Sequence, residues 1–322
     1  MSTTTHSDPS PRPRVASRPQ EGSRPDAATR PRAAGRRRVD PTYFLFLFPA
    51  LIIFTLAITL PAVIGFVYSF TNSVGFGDWE FIGLRNYIAL FQDPNILSSY
   101  LFTLGFALVT VVVVNVIAFA LAVGLTSRIR FRTALRTIFV IPMVISGIII
   151  AFVFKFLLSN SVPALGQALG ISWLSESILA NENLAWLGIV LVTAWSTIPG
   201  TMLIYIAGLV TIPGELYEAA AIDGASARQR LLRITLPMVS GFILINTILG
   251  FKGYLNAYDI IVGLTDGGPG TATRSIAMTI FKGFNGGDYG YQMANAAVFF
   301  VITVIIAAIQ LRLTAGRASF GA

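Results

Sequence analysis

Long unbroken runs of apolar residues decide what this chain can fold into. Six stretches, about 43–70, 98–126, 135–158, 184–209, 236–257 and 293–313, reach the ~20 mostly apolar residues a helix needs to cross a bilayer. In lipid a free N–H or C=O finds no water, so such a run must close its hydrogen bonds within itself as a helix. The runs are continuous, whereas the strands of a membrane barrel alternate with period two. The pattern therefore predicts an all-α polytopic membrane protein with about six transmembrane helices. The fifth run is the least apolar, because Asn246, Lys252 and Tyr254 interrupt it.

Composition narrows the function classes. Only 12% of the 322 residues are charged, about half the ~25% of a soluble domain. There is no cysteine, and His6 is the single histidine. Disulfides, thiolate metal sites, His-based triads and multi-histidine metal sites are excluded, which leaves a membrane enzyme few nucleophile–base pairs. No Gly-x4-Gly-Lys-Ser/Thr phosphate loop occurs, so the chain does not hydrolyse ATP by that route. No carboxylate stands at the centre of any of the six runs, unlike many proton-driven carriers. Uphill transport by such a chain must draw its energy from a partner. The expectation is no enzymatic activity, no metal and no cofactor in this chain.

Charge predicts the orientation. The net charge of +8 is concentrated in residues 1–40, which hold nine Arg against four acidic residues. That segment is rich in Arg, Pro, Ser and Thr, and is expected to be a disordered cytoplasmic tail with no nucleic-acid role. Arg36, Arg37 and Arg38 precede the first run, which is longer than the ~7–15 apolar residues of a signal peptide, so it reads as an uncleaved first span. With the N-terminus inside, the cytoplasmic parts add Arg128, Arg130, Arg132, Arg136, Arg228, Arg230, Arg233, Arg312 and Arg317 to the nine tail arginines. The external segments 71–97, 159–183 and 258–292 keep only Arg85, Arg274 and Lys282, and this asymmetry satisfies the positive-inside rule. The organisation expected is a tail over 1–40, a membrane domain over 41–315 and a short cytoplasmic end over 316–322.

The stretch 211–237, TIPGELYEAAAIDGASARQRLLRITLP, falls on the cytoplasmic side by that count. Pro213 suits a first helical turn, where its missing N–H costs nothing. Glu215 and Glu218 then lie near the positive end of the helix. Gly224 permits a tight or left-handed turn. Ser226 with Gln229 has the spacing of a capping box, so a second short helix starts there. Arg228, Arg230 and Arg233 lie along it and Pro237 closes it; these arginines suit either a protein partner or lipid phosphate.

Glu218-Ala219-Ala220, three residues, Gly224, nine residues, then Ile234-x-Leu236-Pro237 keeps every position and gap of the EAA loop. The chain thus resembles the inner-membrane permeases of binding-protein-dependent ABC importers. Gly83-Leu84, Asn86-Tyr87, Leu90-Phe91, Gly267-Gly268-Pro269 and Thr273 are similar to segments of the carbohydrate-uptake group. The resemblance covers about residues 43–315. It implies a second homologous permease, two ATPase subunits that bind ATP and Mg, an extracytoplasmic sugar-binding protein and a sugar substrate. In it the loop is a coupling helix docked in a groove of the ATPase. Glu218, Ala219, Ala220 and Ile222 would present the seated face, Asp223 and Gly224 would set the turn, and Arg228 would pair with the partner.

Polar and aromatic residues within the runs are candidates for a solute path. They are Ser146, four residues after Pro142; Thr193, Trp195, Ser196 and Thr197, just before Pro199-Gly200; and Gly250, Tyr254 and Asn256. Proline-interrupted helices near small polar residues often form transporter sites, although Ser and Thr also serve as packing residues. Lys252, fifteen residues past Pro237, lies about 22 Å along a straight helix, where it either contacts solute or snorkels to water; Lys155 presents the same choice. Polyamine, phosphate or glycerol-phosphate transport is the nearest alternative, although the path shows no anionic cluster of the kind polyamines need. A stand-alone secondary carrier is the next.

Overall fold

The computed structural model of the chain describes residues 41–127 and 131–315. The predicted tail over 1–40, Arg128, Arg130 and residues 316–322 with Arg317 lie outside the described residues. The chain divides into two compact units, residues 1–54 and 55–322. The described part of the first is α1 (Pro41–Phe54).

In the second unit, α2 (Leu60–Tyr68) is followed by a turn region and the short α3 (Arg85–Gln92). The long α4 (Pro94–Thr126) starts at Asp93, whose carboxylate accepts the Asn95 N–H at 2.9 Å. After α5 (Arg132–Val140) come α6 (Gly147–Phe156), α7 (Val162–Ala168) and α8 (Ala185–Val210). The loop holds α9 (Gly214–Ile222), α10 (Ala227–Arg230) and α11 (Leu236–Met238). Then follow α12 (Ser240–Leu255), α13 (Asp259–Leu264), α14 (Ile276–Asn285) and α15 (Tyr289–Ala315). Among the described residues there is no strand, only an isolated bridge between Thr71 and Phe81.

Five helical stretches are long and apolar enough to cross a membrane: Leu47–Tyr68, Pro94–Thr126, Gly147–Ala168, Ala185–Val210 and Tyr289–Arg312. A sixth is the pair Ala227–Met238 and Ser240–Leu255, bent by 65°. The all-α class and the five-to-six count match the sequence expectation. Two boundaries do not. The third run, expected as one helix over 135–158, is broken: α5 passes into a 3-10 turn at Ile141–Val144, Ile145 and Ser146 are extended, and α6 restarts at Gly147. Pro142 stands in the first positions of that turn, where its missing N–H interrupts the α-helical ladder.

The other correction concerns Pro237, whose setting is shared by Pro61 and Pro163. Each follows by two residues a π-helical turn: Thr55–Thr59, Leu157–Ser161 and Leu231–Thr235. A proline ring collides with the carbonyl four residues back, and one extra residue in the turn relieves the collision without ending the helix. Pro237 therefore does not close its helix; the break comes at Val239, with φ −92° and ψ 7°.

α4 is the central rod and packs mainly on α8 and α12, while α13 lies along α6. One apolar cluster joins Phe106, Val111 and Val114 of α4 to Ile189 and Val192 of α8 and to Tyr254. A second joins Ala118, Ala122 and Leu125 to Met202, Tyr205 and Ile206. α8 and α12 approach so closely that a Cβ on Gly208 would meet the Phe242 ring. α15 packs on α2, α3 and α14, with an apolar groove of about 490 Å³ between α2 and α15.

Candidate functional site

The loop after α8 folds much as its residues suggest. Pro213 stands at the N-cap of α9, one place before the first turn. Asp223 caps the other end of α9, and Gly224 follows with φ +73°, a left-handed conformation that a Cβ resists. The Ser226 capping box is complete: Gln229 N–H donates to Ser226 Oγ at 3.3 Å, and Ser226 N–H donates to Gln229 Oε1 at 2.7 Å. The two halves are tied by a 2.9 Å hydrogen bond between the Tyr217 hydroxyl and Thr235 Oγ1. Sequence reading passed over that pair, although both residues are polar and stand on facing short helices.

Little of this loop is covered by its own chain. Glu218, Ala219, Asp223, Gly224 and Arg228 are exposed, Ala220 is half-buried, and Ile222 is 87% exposed at the tip. A bare isoleucine beside alanines and a carboxylate forms a small apolar knob with a charged flank, a shape that seats in a partner's groove.

The solute-path candidates divide into two groups. On α8, Ser196 Oγ and Thr197 Oγ1 both donate to the Thr193 carbonyl, at 2.9 and 2.8 Å. Those back-bonds accompany Pro199, which denies the next turn an N–H. Thr197 Oγ1 also lies 3.1 Å from the Tyr254 hydroxyl of α12, bringing these candidates together. The Thr193 hydroxyl is buried with no hydrogen-bond partner among the described residues. Gly250 stands beneath the Tyr254 ring, where a Cβ would come within 3.3 Å.

Ser146 and Asn256 lie at helix breaks. Ser146 is the exposed residue before α6, and its side chain forms no cap. Asn256 ends α12 and donates to the Lys252 carbonyl at 2.9 Å. The two breaks face each other, since a Cβ on Gly147 would stand 3.8 Å from Asp259 Cβ. Their level can be read against α8, whose 26 residues span about 39 Å. Phe154 meets Trp195 at 5.1 Å between ring centroids, and Met143 approaches Gly200, so residues 143–154 lie beside the middle of α8. The break at Ser146 is therefore at mid-depth, and so is Asp259.

This overturns part of the sequence reading. Residues 258–292 are not simply an outer loop, because α13 runs along α6. Asp259 is thus an exposed carboxylate at membrane depth that the runs did not reveal, because the fifth run was ended at residue 257. Lys252 changes too. The bend at Val239 makes the straight-helix distance from Pro237 too long, and Lys252 is exposed in the last turn of α12, with α13 following it. It forms no ion pair among the described residues. The groove between α2 and α15 contains none of the candidates.

Residues 115–316 match the model of the binding-protein-dependent transport system inner membrane component family. The chain belongs to this family. It is 33% identical over 276 residues to the probable starch degradation products transport system permease protein AmyD of Thermoanaerobacterium thermosulfurigenes, covering 85% of this chain and 94% of that protein. It is 34% identical to the multiple sugar-binding transport system permease protein MsmF of Streptococcus mutans, covering 84% and 93%. Identity is also 34% with the trehalose/maltose transport system permease protein MalF of Thermococcus litoralis, covering 84% and 92%. In fold the chain is similar to a chain in the crystal structure of a bacterial ABC transporter that imports alginate, with a TM-score of 0.76 at 21% identity, covering 87% and 96%. This permease is accordingly a multi-pass inner-membrane component of a transport system, and its family is one of transporters rather than enzymes.

Proposed function

We propose that this permease is one of two membrane subunits of an ATP-driven sugar importer. Two ATPase subunits bind ATP and Mg and dock on the 211–237 loop from the cytoplasm, and an external binding protein delivers the sugar. The chain itself performs no covalent step. ATP-driven closure of the ATPases moves α9, and with it α8 and α12, so that the path alternates between the two sides. The N-terminus is inside, consistent with the arginine distribution.

One observation carries the reading: the EAA spacing coincides with a preformed, capped turn whose Ile222 and Ala219 are exposed. Sugar as cargo is supported by the names of the relatives AmyD, MsmF and MalF. Thr193, Ser196, Thr197, Gly250 and Tyr254, with Ser146 and Asn256 at the facing breaks, would line the path, as hydroxyls and an aromatic ring suit a polyol. A phosphorylated polyol is the second reading, favoured by 29% identity to a sn-glycerol-3-phosphate permease and by the exposed Lys252.

The test is Gly224→Val in the assembled transporter. A branched side chain at φ +73° is strained by about 1–2 kcal/mol, so the turn should distort. Uptake should be lost while the protein still inserts in the membrane; unimpaired uptake would overturn the coupling role.

A further inference from the structure

Where α4, α8 and α12 meet, three polar side chains that the path does not use make hydrogen bonds between the helices. The Tyr205 hydroxyl donates to Asn115 Oδ1, which joins α8 to α4. Asn246 Nδ2 donates to the Thr201 carbonyl at 3.2 Å, and Asn115 Nδ2 donates to the Val111 carbonyl at 2.7 Å. Tyr205 is 1% and Asn246 4% exposed. No water competes for such groups in a hydrocarbon setting, so the Tyr205 hydroxyl depends on Asn115, and Asn246 on the Thr201 carbonyl, to be satisfied.

Their position is specific. On α4, Asn115 falls between Val114 of one apolar cluster and Ala118 of the other. The Asn115–Tyr205 bond thus sits where the two greasy blocks meet, with Tyr205 at the edge of the second, and sliding α4 along α8 would break it. Apolar surfaces slide past one another at little cost; a polar layer fixes register. Tyr205 lies five residues before the end of α8, and Asn246 six residues into α12, so both are about 8–9 Å from where those helices enter the loop. α4 does not adjoin that loop in sequence; Tyr205 bonds it to α8, and Asn246 bonds α12 to the same helix through the Thr201 carbonyl.

Building on the coupling role proposed for the loop, we infer that Asn115, Tyr205 and Asn246 form the joint through which loop movement reaches α4. They are positioning residues: they touch neither solute nor nucleotide. Without them, α8 and α12 still move with the ATPases, but α4 slips and the path does not switch.

The experiment uses the complete transporter in proteoliposomes and measures solute taken up per ATP hydrolysed. Tyr205→Phe removes one oxygen and leaves the ring packed on Phe119, 5.4 Å away between centroids. Tyr205→Phe and Asn115→Leu should each lower the uptake-to-hydrolysis ratio by about fivefold or more, the range of a coupling energy of ordinary size. The double variant should be no worse than the more severe single. If the residues only glue the fold, assembly and both rates will fall together with the ratio unchanged, and the joint is refuted. An unchanged ratio with normal rates refutes it as well. If Asn115→Leu does not assemble, Tyr205→Phe decides alone. Gly224→Val run in parallel separates the two claims. Full uptake in that variant overturns the coupling reading, whereas lost uptake with an unaltered Tyr205→Phe ratio overturns only the joint.

Discussion

Gly224 and Asp259 show two ways a single residue constrains this permease. Gly224 was legible from spacing alone, because a turn between two short helices needs a residue free to take a positive φ, and the structure has it at +73°. Asp259 was not legible, because it stands two residues past the end of an apolar run and reaches membrane depth only through the packing of α13 on α6. An ionisable group at that depth is a candidate functional residue. Asp259→Asn should leave assembly intact and raise the KM for solute severalfold, since a neutral amide accepts weaker hydrogen bonds from solute hydroxyls than a carboxylate. Transport kinetics check this; unaltered KM and kcat would show that Asp259 has no contact with solute. At Ser226, replacement by Ala deletes the oxygen that accepts the Gln229 N–H. The loss should be about 1 kcal/mol of local stability, seen as faster hydrogen exchange over residues 226–230 and a smaller uptake defect than Gly224→Val causes.

Among the elements, the prolines give the clearest lesson. Pro142 breaks its helix, whereas Pro61, Pro163 and Pro237 are each absorbed by a widened turn two residues before them. The local rule that proline disrupts a helix holds at all four. The close crossing of α8 and α12 makes another point. Gly208 looks like one of many glycines in an apolar run, yet the Phe242 ring occupies the place of its missing side chain. Gly208→Leu should force the helices apart, with an overpacking cost of about 1–3 kcal/mol. Melting of the purified protein in detergent should fall by several degrees, and an unshifted melting temperature would show the crossing to be slack.

For the whole molecule, orientation rests on arginine counting, and the absence of cysteine makes it directly testable. Single cysteines at Ile222, 87% exposed in the loop, and at Phe76, 82% exposed in the turn after α2, are suited to a membrane-impermeant thiol reagent. In intact cells Phe76→Cys should label and Ile222→Cys should not, and permeabilisation should expose the second. The reverse pattern would put the loop on the outer face and end the coupling proposal.

The residues alone determined the membrane setting, the all-helical class, the number of spans to within one, and the grammar of the 211–237 loop. Each follows from local chemistry: unsatisfied peptide groups in lipid, a capping hydroxyl, a glycine where φ turns positive. Tertiary structure alone decided which polar residues meet. Thr197 reaches Tyr254, Tyr205 reaches Asn115, and the breaks at Ser146 and Asn256 face one another across separate helices. Hydropathy along one helix carries no record of its rotation or of its neighbours, so those encounters exist only once the helices pack.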